Sequence, residues 1–203
     1  MTNREFCLDR RKRERKAFVN VLKAVPQARL EYRPEPRSRT AAELAWLIAF
    51  AESALLPLIE KGSAEWKEAP SPAKVEEIVA AYERNAKAVD DLIARTSDQA
   101  WEQKVKFFFG SLEPWQDTLE NFVWGFLLDA IHHRGQLTTY LRLWGQALYS
   151  TYGPTADTGG LFQHKAPVIY RYESIDALLE GEGRGGANPP LPGPGDRPPT
   201  ERP

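Results

Sequence analysis

Asp129-Ala130-Ile131-His132-His133-Arg134-Gly135-Gln136-Leu137 sets a carboxylate and an imidazole four residues apart within a long apolar helical pattern, and it holds two of the chain's three histidines. Residues at i and i+4 share one face of a helix. Asp129 and His133 can therefore share a proton or offer two ligands to one metal ion. On a helical wheel at about 100° per residue, Phe126, Leu137, Tyr140 and Trp144 fall within roughly 45° of His133, which puts His133 in the middle of an apolar stripe. Asp129 and Gln136 lie about 40° and 60° to one side, and His132 about 100° away, near a flank. Polar groups at the edge of a buried stripe need partners, because each one left unpaired costs on the order of 1–3 kcal/mol. Two readings meet that need. In one, Asp129 and His133 satisfy each other as a structural pair. In the other they hold a metal, and zinc then asks for three or four protein ligands, of which this helix supplies two. Glu43 is accounted for by a capping box, and His164 lies in an irregular C-terminal region.

Four helices must position these groups. The first is expected over about residues 9–25, where Leu8, Arg11, Arg15, Phe18, Val21, Leu22 and Val25 keep helical spacing. The basic run Arg10–Lys16 reads as a phosphate-binding patch or as a solvated helix face, and the absence of interleaved aromatics favours the face. Pro26, Pro34 and Pro36 make an extended link. Thr40-Ala41-Ala42-Glu43 is a capping box that opens the second helix, with Pro57 near its end and Gly62 as its stop. Ser71 as N-cap and Pro72 at the first helical position predict a third helix running to about Arg95. Residues 97–112 read as irregular, with Lys104–Phe107 alternating like a short extended segment. The fourth helix is predicted from about Pro114 to Trp144. It carries Trp115, Leu119, Phe122 and Phe126 on one side and Trp124, Leu127, Leu128 and Ile131 on the other. A helix apolar on both sides is central or shared with another subunit, and a homodimer is the expected partner. Gly135 in such a helix suggests close helix–helix approach.

With 203 residues, 42% hydrophobic and 27% charged, the chain suits a globular domain. The pattern predicts an all-α bundle over residues 1–160, an irregular extension with a short helix near 174–180 over 161–180, and a tail over 181–203. That tail holds seven of the 16 prolines and six of the 14 glycines, a composition expected to be disordered. The net charge of −1 supplies no broad field for nucleic acid or an acidic membrane. Cys7 is the single cysteine, which suits a reducing compartment. With no signal-peptide pattern at the start and no apolar run near the roughly 18 residues of a membrane span, a cytoplasmic protein is expected.

Arg39-Thr40 followed by Glu43-Leu44-Ala45-Trp46, then His132-His133-Arg134-Gly135-Gln136-Leu137, Tyr140-Leu141-Arg142 and Tyr152-Gly153-Pro154-Thr155-Ala156-Asp157, resembles the DinB/YfiT-like superfamily over about residues 10–157. The resemblance implies an up-down-down-up four-helix bundle, commonly dimeric, with a divalent ion such as zinc or nickel on three histidines. It also implies relatives that are thiol-dependent transferases or isomerases using bacillithiol, mycothiol or glutathione. Carried onto this chain, the family's ligand positions fall on Leu47, Asp129 and His133. Leucine cannot bind metal and aspartate changes the ligand type, so the site is expected to be degenerate and the ion absent. An ion held by one carboxylate, one imidazole and waters would be of a harder, more weakly bound kind. Leu47, Trp46, Phe126, Gln136 and Tyr140 are the expected pocket residues, His132 and Arg134 accessory ones, and the loop at 152–157 is expected near the pocket. Two functions stay open. One is a metal-assisted thiol transferase or hydrolase acting on a small molecule; the other is a metal-free, non-catalytic ligand-binding or stress-related dimeric bundle.

Overall fold

Thr2 and Glu5 form a capping box that starts helix α1 (Asn3–Lys23). This box lies well ahead of the apolar spacing, so the helix begins six residues earlier than that spacing predicts. The computed structural model describes residues 1–146, 148, 151–152 and 174–182. Helix α2 (Ala41–Lys61) opens as predicted: Thr40 Oγ1 accepts from Glu43 N–H at 3.1 Å, and Glu43 Oε2 accepts from Thr40 N–H at 2.7 Å. It passes through Pro57 and ends at Gly62, whose φ of 70° is the left-handed conformation that glycine adopts without strain. By length and composition α2 alone among the described helices could cross a membrane, but its apolar positions pack into the core.

Helix α3 (Val75–Arg95) starts later than the predicted Ser71–Pro72 cap. Gln27, from the link after α1, takes over the capping: its Oε1 accepts from Val75 N–H at 3.0 Å and its Nε2 donates to Ala73 O at 2.8 Å. The predicted fourth helix divides. Residues Trp115–Thr118 form a strand, and the long helix α5 runs over Leu119–Leu143, capped by Thr118. A four-residue helix α4 (Asp98–Trp101) precedes it. Three short strands, β1 (Ser63–Glu65), β2 (Lys104–Phe108) and β3 (Trp115–Thr118), form a sheet in the order β1-β2-β3. Strand β1 pairs parallel to β2 with Ala64 opposite Phe107, and β3 pairs antiparallel to β2 with Trp115 opposite Phe107. Only the 104–107 alternation announces this sheet in the sequence, because strands of three to five residues are too short for a clear period.

Helix directions follow from which residues meet. Arg4 reaches Asp98 and Arg11 reaches Asp90, so α3 runs against α1. Asn3 accepts from the Trp124 indole and Glu14 pairs with Arg134, so α5 runs with α1. Ser71, just ahead of α3, meets Ala42 and Asn85 meets Ala49, so α2 runs with α3. The bundle is therefore up-down-down-up. The consecutive parallel pair α2 and α3 needs a crossover, which carries β1, and the long link from α3 to α5 carries β2 and β3, so the sheet is built from those two links.

The core lies in two apolar clusters, one around Phe18, Leu22, Ile48, Ile78 and Leu137, the other around Leu55, Val89, Ile93, Phe107 and Phe122. Between them along the helices sit three buried charges. Arg11 donates to Glu52 Oε2 at 2.5 Å and to Asp90 Oδ1 at 2.8 Å, and Arg15 also pairs with Asp90. The basic run is thus split: Arg13 stays exposed beside Asp9, while Arg11 is 4% exposed. Helix α6 (Ile175–Glu182), near the predicted short helix, inserts Leu178 and Leu179 into the first cluster, and Lys23 of α1 pairs with Asp176 at 3.1 Å. Residues 183–203, most of the predicted tail, lie outside the described residues.

Candidate functional site

One turn of α5 carries the polar groups. His133 Nε2 lies 3.3 Å from Asp129 Oδ2, and its Nδ1 lies 2.8 Å from Gln136 Oε1. Gln136 Nε2 in turn lies 2.9 Å from His132 Nε2. The hydrogen bond from His133 holds the Asp129 carboxyl below its usual range. The bond to Asp129 chiefly, and that to Gln136, raise His133 above the usual imidazole value, against the pull of desolvation and of the Arg39 charge. The sequence pattern puts His133 at the centre of a buried stripe. In the structure its side chain is 19% exposed and that of Asp129 61%, because the seam between α2 and α5 opens there instead of closing.

The opening is a cavity of about 550 Å³. Its walls are Leu47 and Ala51 from α2, Phe122 and Phe126 from α5, and Trp66, Phe109 and Trp115 from the sheet and its loops, with Asp129, His133 and Arg39 at the polar end. The rings contact one another: Trp66 stacks on Phe109 at 6.4 Å, and Phe126 meets Phe107 at 5.3 Å. A neighbouring cleft takes in Leu44, Gln136 and Tyr140, and both hollows share Arg39 and His133. Tyr140 donates its hydroxyl to Arg39 O at 3.1 Å, which ties α5 to the start of α2.

Four of the five expected pocket residues therefore line these two hollows. Trp46 does not: its indole donates to Ala69 O at 2.6 Å and its ring faces Phe50. Arg134 turns the other way, is 3% exposed, donates to Glu14 Oε2 at 2.8 Å and lies 4.5 Å over the Phe18 ring. Tyr152 joins that pair by donating to Glu14 Oε2 at 2.7 Å. Its ring thus marks the α1–α5 seam and not the roof of the cavity, and residues 153–157 lie outside the described residues. Gly135 has open space where a Cβ would be, so close packing within this chain does not explain it. The sequence reading missed Trp66, Phe109 and Arg39 as cavity residues and put Trp115 on a helix. Only Arg39 carried a signal, its place beside the Thr40 cap.

The DinB family model matches residues 1–160. The chain belongs to the DinB family. A DinB-like protein from Bacillus cereus ATCC 10987 superposes with a TM-score of 0.62 at 21% identity, covering 73% of this chain and 97% of its own. A DinB-like protein from Bacillus subtilis superposes with a TM-score of 0.56 at 14% identity, covering 71% of this chain and 96% of its own. At those identities the likeness speaks for the DinB fold alone. No curated protein matches.

The donor set in this DinB chain does not fit a resident divalent ion. Leu47 at 6% exposure supplies a hydrocarbon wall. Both His133 nitrogens are engaged by Asp129 and Gln136, and the Arg39 cation faces the pair. Among the described residues no three of histidine, cysteine, aspartate and glutamate gather. Cys7 is no thiol nucleophile either: it is fully buried, and burial pushes its pKa up to about 12.

Proposed function

We propose that this DinB-family chain binds a small, largely apolar molecule in the cavity between α2, α5 and the sheet, without a resident metal. The observation that carries the reading is an aromatic cavity of about 550 Å³ that ends in a few convergent polar groups, the composition of small-molecule sites in general. Leu47 supports it, since the same side chain that removes a metal donor adds apolar wall. Asp129 and His133 supply a hydrogen-bonding end. Thiol transfer assisted by a metal has no donor set here, so no step is assigned to one.

The test is direct. The full chain is loaded with excess zinc or nickel, dialysed, and analysed for metal. It is then titrated calorimetrically with naphthalene-type ligands, alongside Gly125→Trp. Gly125 borders the cavity and has nothing within 4 Å of its Cβ position, so a side chain can enter there and an indole takes up ligand space. Less than about a tenth of an equivalent of retained metal is expected, with ligand binding that Gly125→Trp removes. One retained equivalent, or binding indifferent to the block, overturns the reading. Self-association through the α1–α5 face belongs to the same proposal: Phe6 and Leu128 leave apolar surface there, beside the half-buried Trp124. Sedimentation of Leu128→Lys against the native chain checks it, with a shift toward monomer expected.

A further inference from the structure

Three charged side chains meet at the polar end of the cavity, and their balance points to the ligand. Arg39 and His133 line both hollows, and Asp129 lines the larger one. Asp129 is already engaged by His133 at 3.3 Å. Arg39 has an ion pair with Glu68, but that contact is long, 3.7 Å, with the guanidinium 46% exposed, so its fork keeps hydrogens for another acceptor. The Arg39 charge and the His133 ring repel each other, since Arg39 disfavours the imidazolium. A carboxylate on the Arg39 fork balances the end: Asp129 already faces the His133 ring, and the ligand faces Arg39. An ammonium group there would meet the Arg39 cation and find Asp129 engaged by His133. The rest of the space is ring-lined, with Trp66, Phe109, Trp115 and Phe126 around it, which suits a flat hydrocarbon body.

We propose that the cavity's ligand is a small aromatic carboxylic acid, its ring among the sheet and α5 aromatics and its carboxylate on Arg39, beside the Asp129–His133 pair. This rests on the cavity-binding reading above and adds the chemical class. Charge-assisted hydrogen bonds to a carboxylate are about twice as strong as neutral ones, and arginine can make two in parallel.

The experiment is isothermal calorimetry on the full chain with three probes of one shape: naphthoate, naphthamide and naphthylmethylamine. Native chain is expected to bind naphthoate at least about tenfold more tightly than naphthamide, and the amine most weakly. In Arg39→Gln that preference should shrink to within about twofold while naphthamide binding persists. Persistence of naphthamide binding shows that the variant is folded. Arg39→Lys should keep part of the preference, as a charge without the fork. Equal binding of acid and amide overturns the carboxylate assignment and leaves the cavity reading standing. Tightest binding of the amine also overturns it, in favour of an aromatic cage completed by Asp129. A preference that survives Arg39→Gln overturns the placement of the anion. If none of the three probes binds, both proposals fall together.

Discussion

His133 and Asp129 are coupled strongly enough for pH to report on their geometry. The folded-state pKa of His133 is raised above its ordinary 6.5, so its contribution to stability is complete below that value and fades as pH rises through the folded pKa. Asp129 is depressed below its ordinary 3.8, so its share is complete above that value and fades as pH falls through the folded pKa. The pair therefore stabilises the fold most between those two ordinary values. The effect stays under about 1 kcal/mol, because the aspartate is largely exposed and solvent screens it. Imidazole NMR of Asp129→Asn should show His133 titrating at lower pH than in the native chain; an unmoved His133 would mean that the hydrogen bond is not made in solution. Cys7 gives a second check at this scale. Being fully buried with a raised pKa, it should resist thiol reagents at neutral pH and react stoichiometrically after unfolding. The 129–133 pair was readable from the sequence because a single helix dictates it. The cavity beside it was not, since Trp66 and Phe109 arrive from separate interhelix links whose placement depends on strand pairing.

Among the elements, the helices followed from spacing and caps, and the corrections came where partners distant in sequence supplied the cap. Gln27 moves the start of α3 away from Ser71, and pairing with β2 takes Trp115–Thr118 out of α5. Local signals do not encode such bonds. Helix α5 still contains two glycines, Gly125 and Gly135, with open space at both Cβ positions. Glycine within a helix costs roughly 0.5–1 kcal/mol relative to alanine. Gly125→Ala and Gly135→Ala should therefore each add about that increment to the unfolding free energy, read as a higher urea midpoint with the slope unchanged. If Gly135→Ala instead destabilises the chain only at concentrations where it self-associates, the glycine serves contact with a second copy. That outcome would restore the close-approach role the sequence suggested, now between subunits.

Three helices are bound to one another through Arg11, and this makes the buried charges a property of the whole molecule. Arg11 stands on α1, Glu52 on α2 and Asp90 on α3, with all three side chains at most 5% exposed. The two carboxylates hold the guanidinium firmly protonated despite its burial. A buried pair is a weak source of net stability, because desolvating the charges offsets most of their attraction. Removing one partner is another matter, since it strands the opposite charges without water. Arg11→Met should cost about 3–5 kcal/mol, because Glu52 and Asp90 then face each other with only Arg15 nearby. Replacing the layer together, as Arg11→Met with Glu52→Leu and Asp90→Leu, should recover most of that loss, since the clusters on either side are apolar and could merge into one core. Merging also removes what distinguishes one helix register from its neighbours. The triple variant is therefore expected to unfold at higher urea than Arg11→Met, but with a broader amide spectrum than the native chain. Equal stability of the single and triple variants would mean that water reaches the layer, and that these charges do not bind the three helices to one another.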